Sequence, residues 1–269
     1  SKHCLSNHIW LYSDGLLNNM PFPMFYCKHT KNMKVEIWSD IMCPFCYIGK
    51  RHFEQALNSF DNKDKVEVEW KSFQLDPEIP EIMVETKSVY DYVAERKGMS
   101  MEDSRQLHDH VVFMAHSAGL DYHFEKTIVA NSLKAHRIIQ KAKELSLGDP
   151  AEEVFFKAYF TEGKNLADND TLVALGKEIG LSQEQTIDAL NNDNYSYAVH
   201  QDIQEGSRLG VRGVPFFVFD RKYGISGAQP VEAFTHTLQQ SYDEWAKENA
   251  PSIQMTSSGE ACSIDGNCD

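Results

Sequence analysis

MKVEIWSDIMCPFCYIGKRHFEQAL, residues 33–57, holds a strand, a turn, two cysteines and a helix in that order. Val35 and Ile37 alternate with Lys34 and Glu36, the two-residue period of a strand. Asp40 to Cys43 turns the chain. Phe53, Ala56, Leu57 and Phe60 then recur at helical spacing, so a helix begins within or just after Cys43-Pro44-Phe45-Cys46. Pro44 suits a first helical turn, where its missing N–H costs no hydrogen bond. This order places the Cys43 sulfur at a helix N-terminus, where unpaired backbone N–H groups and the positive end of the dipole favour a thiolate. Cys46, one turn later, is expected to lie deeper and to stay protonated until needed. A reactive thiolate beside a resolving thiol is a dithiol–disulfide exchange device. Two other readings of the pair stay open. As half of a zinc site, or as a metal- or partner-binding module, it needs a second ligand pair, and the other close cysteines, Cys262 and Cys268, lie far away in a polar tail. As a structural disulfide, so short a loop constrains little of the unfolded chain.

The chain has 269 residues, enough for one large core or two modest ones. Its 26 basic and 40 acidic side chains leave a net charge of −14, which disfavours nucleic acid and anionic membrane surfaces as partners. No run of 18 apolar residues occurs, so no transmembrane helix is expected. Six cysteines are too few for a disulfide scaffold; four form the two close pairs, and Cys4 and Cys27 stand alone. Residues 1–32 show no sustained helical or strand period and lack the unbroken apolar core of a signal peptide. They are read as an upstream or misassigned extension, with Met33 as the natural start, or alternatively as a real but irregular N-terminal arm, and a cytoplasmic location is expected.

Beyond the first helix, Val66, Val68 and Trp70 alternate with charged residues as a second strand, which Asp76-Pro77-Glu78-Ile79-Pro80 closes. Residues 77–206 read as entirely helical. Leu107, Val111, Met114 and Ala118 share one face, as do Ala135, Ile138, Ile139, Ala142 and Leu145. Ser182 with Gln185 is a capping box, and Phe155, Phe156, Tyr159 and Phe160 form an aromatic stripe read as core. The pattern then returns to strands: Gly210-Val211-Arg212-Gly213-Val214-Pro215 leads into Phe216-Phe217-Val218-Phe219, and Tyr223 to Gly227 supplies an antiparallel partner. A last helix covers Val231 to Glu248, and residues 249–269 form a small, polar tail. The order β-α-β, helical insertion, β-β-α predicts a thioredoxin-like α/β fold. Its halves are about 33–76 and 207–248, and an all-helical domain, about 77–206, is inserted between them. A proline heading a central strand calls for a cis bond before it. In this architecture a cis Val214–Pro215 bond faces the cysteines and leaves backbone groups free to pair with an extended substrate.

The segments SDIMCPFCYIGKRHFE (39–54), NSLKAHRI (131–138), FFKAYFTEGKNLAD (155–168), GVRGVPFFVF (210–219) and SGAQP (226–230) together resemble the DsbA-like thioredoxins, specifically the FrnE-like branch of disulfide oxidoreductases. The resemblance spans about 35–240. It implies thiol–disulfide exchange on protein or small-molecule substrates, with Cys43 as nucleophile, Cys46 as resolving thiol, and Val214, Pro215, Pro44 and Phe45 against the substrate. No cofactor beyond the cysteine pair is implied, and glutathione is a candidate electron partner. FrnE-like proteins can also carry a second C-terminal cysteine pair, so Cys262 and Cys268 are either idle tail thiols or an accessory redox pair. A sister branch resembles 2-hydroxychromene-2-carboxylate isomerases and kappa-class glutathione transferases, which carry serine at the nucleophile position. A biosynthetic isomerase or cyclase, of polyketide-pathway type, is therefore the alternative enzyme reading.

Five histidine positions need a reading of their own. His136 and Arg137 either line the groove over the active site or make a polar contact between helices. His108, His110 and His116 have no suitably spaced ligand partners and are read as surface residues. His52 could tune Cys43 through its charge, but it sits too far along the helix for contact.

Overall fold

β1 (Met33–Ser39) is an inner strand of the sheet. Its partners are β2 (Val66–Ser72), parallel, on one side and β3 (Phe216–Phe219), antiparallel, on the other; β4 (Tyr223–Ser226) adds to β3. The sheet order is β2-β1-β3-β4. The structure is a computed structural model that describes residues 32–81 and 87–250. The readings placed on residues 1–31 and on 251–269, including Cys4, Cys27, Cys262 and Cys268, lie outside the described residues.

One face of the sheet carries Met33, Val35, Ile37, Phe217 and Phe219, which bury against Phe53 of α1 (Pro44–Asn58) and Phe234 and Leu238 of α9 (Val231–Glu248). The other face is also covered, by α8 (Asp193–Arg208). The alternation of β1 therefore marks two buried faces rather than a dry and a wet one. Glu36 is buried, held by Arg221 and 3.7 Å from Lys71. Asp202 of α8 accepts from the Ser72 amide (3.0 Å) and from Gln140 Nε2 (2.6 Å). Every buried charge on this face thus has a partner, which its desolvation requires.

The insertion runs α2 (Val89–Lys97), α3 (Met101–Ser117), α4 (Leu133–Glu144), α5 (Gly148–Phe160), α6 (Asn169–Ile179), α7 (Gln183–Asn191) and α8. Ser88, Ser100 and Asp168 cap α2, α3 and α6, and the Ser182/Gln185 capping box is formed at α7. The expectation of an entirely helical 77–206 is corrected at 118–132. Gly119, at φ 76°, ends α3 in the left-handed region, and the chain runs on as a buried loop through Leu120, Tyr122, Phe124, Val129 and Ala130. Phe155, Phe156, Tyr159 and Phe160 are core, as their spacing predicts. They join Tyr47 and Ile48 of α1 in one hydrophobic cluster, so the described residues of the sheet and of the insertion form one compact unit rather than two. No helix among the described residues is long and apolar enough to cross a membrane.

Candidate active site

Cys43 is the N-cap of α1, in extended conformation at φ −89° and ψ 110°, and Pro44 occupies the first helical turn. The turn that delivers it is fixed by Asp40. Its carbonyl accepts from the Cys43 amide (2.9 Å), and its buried carboxylate accepts from the amides of Met42 (3.3 Å) and Leu75 (2.7 Å). Cys43 Sγ donates to the Val214 carbonyl at 3.4 Å, the residue preceding Pro215. The Val214–Pro215 peptide bond is cis. Helix α1 comes this close to the loop because Gly49 has no side chain: a Cβ there would sit 3.1 Å from Pro215 Cγ.

Both cysteines are free thiols, and depth hardly separates them: Cys43 is 3% exposed and Cys46 1%. What separates them is surroundings. Cys43 lines a cavity of about 490 Å³, and Cys46 does not. Burial pushes the Cys46 thiol well up from its ordinary range, and the neighbouring Cys43 adds to the rise; the Asp40 amide and the Ser39 hydroxyl act in the opposite direction.

The cavity joins Pro44, Phe45 and Val214 to Val111 of α3, Phe124 of the buried loop and Phe160 of α5. The sequence-predicted residues are thus brought together, except that Pro215 lies behind Val214 against Gly49. The cavity's size is that of a small-molecule site. Arg96, paired with Asp76 at 2.6 Å, and Lys97 place positive charge on its wall.

The histidines divide differently from the sequence reading. His108 is not a surface residue. It is buried edge-on between Tyr90 and Phe124, donates from Nδ1 to the Ser104 carbonyl (2.6 Å) and lines the cavity. Burial lowers its affinity for a proton. Its spacing to Val111 and Ala115 puts it on the buried face of α3, a signal already present in the sequence. His110 and His116 are exposed. His136 lines no groove: it is fully buried, with Nε2 3.3 Å from Asp40 Oδ1 and Nδ1 unpartnered. Arg137 makes the helix–helix contact, donating from Nε to the Ala189 carbonyl at the end of α7 (2.9 Å). His52 is bonded through Nδ1 to the Gln229 carbonyl (2.8 Å). Among the described residues no third His, Asp, Glu or Cys joins the cysteine pair to form a metal cluster.

Sequence reading missed Asp40 and Tyr122 as parts of this site. Tyr122 donates to the Pro44 carbonyl at 2.7 Å, tying the buried loop to the first turn of α1. Asp40 follows directly on the end of β1, three residues before Cys43. Tyr122 carries no such signal, because only the packing of the insertion brings it in.

Comparison with known proteins agrees with this geometry. The crystal structure of a probable DsbA oxidoreductase from Streptomyces coelicolor is 35% identical, superposes with a TM-score of 0.74, and the match covers 88% of this chain and 99% of that one. YwbO of Bacillus subtilis (strain 168) is 26% identical over 206 residues, 76% of this chain and 94% of its own length. The cytosolic disulfide reductase DsbM of Pseudomonas aeruginosa, 17% identical over 78% of this chain and 99% of its own, shares the fold at a TM-score of 0.57. Residues 34–239 match the DSBA-like thioredoxin domain, and the chain belongs to that family.

Proposed function

We propose that this protein is a thiol–disulfide oxidoreductase of the FrnE-like branch, in which Cys43 attacks and Cys46 resolves. One observation carries the reading: a free thiol pair at the start of α1, with Cys43 open to a substrate-sized cavity and Cys46 closed off from it. Cys43 attacks a substrate sulfur to form a mixed disulfide and releases the other sulfur as a thiolate. Cys46 then attacks Cys43, the Cys43–substrate bond breaks, and a Cys43–Cys46 disulfide forms as the substrate leaves reduced. Run backwards, the same steps oxidise a substrate dithiol. Val214, Pro215, Pro44 and Phe45 hold the substrate against Cys43. Glutathione, whose thiol chemistry matches the pair, serves as electron partner in a reducing, cytoplasmic setting. Cys262 and Cys268 relay electrons between the tail and the Cys43–Cys46 pair.

The test is a Cys46→Ser variant incubated with a small-molecule or protein disulfide. It should accumulate a mixed disulfide on Cys43, visible by intact mass and peptide mapping, whereas a Cys43→Ser variant should form none. No trapped adduct on Cys43 would remove the exchange reading. A Cys262→Ser/Cys268→Ser variant compared with wild type in multiple-turnover reduction tests the relay, which unchanged turnover rules out.

A further inference from the structure

The lining of the cavity at Cys43 divides into two parts of different chemistry. Val111 of α3, Phe124 of the buried loop and Phe160 of α5 are all buried, and they give it an apolar interior. The end of α2 is exposed and brings Arg96 and Lys97 to the rim. These two cations and the single carboxylate of the lining, Asp76, leave one net positive charge. Asp76 is buried and already holds Arg96 (2.6 Å) and the Tyr92 hydroxyl (2.6 Å). Lys97 forms no salt bridge among the described residues, so the charge left for a ligand to answer is its own. His108 adds no second cation. Its Nδ1 is spent on the Ser104 carbonyl, burial lowers its affinity for a proton, and the nearby charge of Lys97 lowers it further.

Such a lining sorts disulfides by chemistry. Glutathione disulfide carries peptide groups and ammonium groups, which would lose water against the apolar interior without finding partners. A disulfide of a folded protein would bring its flanking backbone into the same space, at the same penalty. An aromatic ring instead fills the apolar interior, and Phe45, Phe124 and Phe160 offer it faces and edges. A volume of about 490 Å³ suits a small molecule.

We propose that the cavity is the binding site for a small aromatic disulfide bearing a carboxylate, with the ring in the apolar interior, the carboxylate toward Lys97 and the sulfurs at Cys43. The inference rests on the exchange reading, whose substrate class it narrows. Cys43 attacks one sulfur, the S–S bond breaks, and the first aryl thiolate leaves with the electron pair. Cys46 then attacks Cys43 and displaces the second aryl thiolate. The substrate gains two electrons, the cysteine pair loses them as its disulfide forms, and the two cysteine protons pass to solvent. The inference concerns the disulfide that the reduced pair takes in and places no constraint on the thiol that later restores the pair.

The experiment mixes the reduced full chain with four disulfides in turn: dithiobis(nitrobenzoate), dithiodipyridine, cystamine and glutathione disulfide. Loss of chain thiols, read by intact mass after acid quenching, gives each rate. Division by the rate of the same disulfide with dithiothreitol removes differences in intrinsic reactivity. The normalised rate should be highest for dithiobis(nitrobenzoate). Dithiodipyridine, aromatic but without a carboxylate, should fall roughly threefold below it, the worth of an exposed ion pair. Cystamine and glutathione disulfide should fall roughly tenfold or more below dithiodipyridine, because no ring is buried. Lys97→Glu, a change at an exposed position, should lower the ratio of dithiobis(nitrobenzoate) to cystamine roughly tenfold, since it both removes an attraction and adds a repulsion. Naphthoate, an aryl carboxylate with no disulfide, should slow alkylation of Cys43 by iodoacetamide, whereas acetate at the same concentration should not. Equal normalised rates, or glutathione disulfide ahead of the aromatic ones, overturn the assignment while exchange stands. Failure of naphthoate to protect Cys43 overturns it as well. A chain whose thiols react with none of the four disulfides sinks the exchange reading itself, and the proposed substrate with it.

Discussion

Glu152 and Glu153 are adjacent on α5 and lie in opposite electrostatic settings. Glu152 faces inward without a cation bonded to it, and burial raises it to about 7. Glu153 is only half-buried. Burial pushes it up, but hydrogen bonds from Arg51 (2.9 Å) and Tyr47 (2.6 Å) outweigh this and hold it at about 2. The stability effects then have opposite signs. A carboxyl raised in the folded state favours folding most below its unfolded value of 4.5, and that contribution is lost as pH rises through about 7. The full shift corresponds to about 3 kcal/mol. Glu152→Gln should therefore gain on wild type in urea-unfolding free energy as pH rises from 4.5 to above 7, and a difference constant with pH would contradict this. Glu153 contributes above its unfolded 4.5 and loses that contribution as pH falls toward about 2. Glu153→Gln should accordingly flatten the acid limb of a melting-temperature profile. At the thiols, limited alkylation near neutral pH followed by peptide mapping should label Cys43 before Cys46, since Cys43 lines the cavity and Cys46 is held as a thiol. Earlier labelling of Cys46 would reverse the two roles.

At the scale of elements, α8 closes on the sheet through a glycine. Trp38 of β1 donates from Nε1 to the Asp202 carbonyl at 2.7 Å, and its ring edge stands where a Gly206 side chain would begin. A Cβ on residue 206 would stand 2.6 Å from Trp38 Nε1. Gly206→Ala therefore forces either the indole or the helix to move and breaks a buried hydrogen bond. It should cost roughly 1–3 kcal/mol by overpacking, despite the better helix propensity of alanine. Chemical denaturation with the slope held in common measures it, and a stabilised variant would show that the helix has room to shift. The α1 face works the same way at Gly49, where the closest approach to Pro215 sets the spacing between Cys43 and Val214.

At the scale of the whole molecule, α1 belongs to two cores at once. Phe53 and Ala56 pack with the sheet and α9, while Cys46, Tyr47 and Ile48 pack with the aromatic cluster of the insertion. Trp70 of β2 donates to Asp149 of α5 at 3.0 Å, which ties the second strand to the insertion as well. The insertion is therefore a wall of the active site and shares the stability of the sheet. Unfolding should be one cooperative transition, with tryptophan fluorescence and far-ultraviolet circular dichroism giving the same denaturant midpoint. Two separated midpoints would mean that the insertion melts alone.

The strand-turn-helix of 33–57, the switch back to strands after 206 and the capping box at Ser182 were legible in the sequence because each is local. Periods of two and 3.6 residues, a proline in a first helical turn and a serine three residues before a glutamine act within one or two turns of chain. The cysteine pair was legible for the same reason, since its place at the start of α1 follows from neighbours in sequence. His108 was misread, because a polar residue in an amphipathic pattern reads as solvent-facing until a second layer is known to cover it. The buried loop 118–132 has no period to detect. Only the tertiary structure brings Glu152 to Ser39, His136 to Asp40, Tyr122 to Pro44 and Phe124 to the cavity beside Cys43. Those contacts join residues about eighty to well over a hundred positions apart, and they are fixed by how helices pack rather than by how any one of them forms.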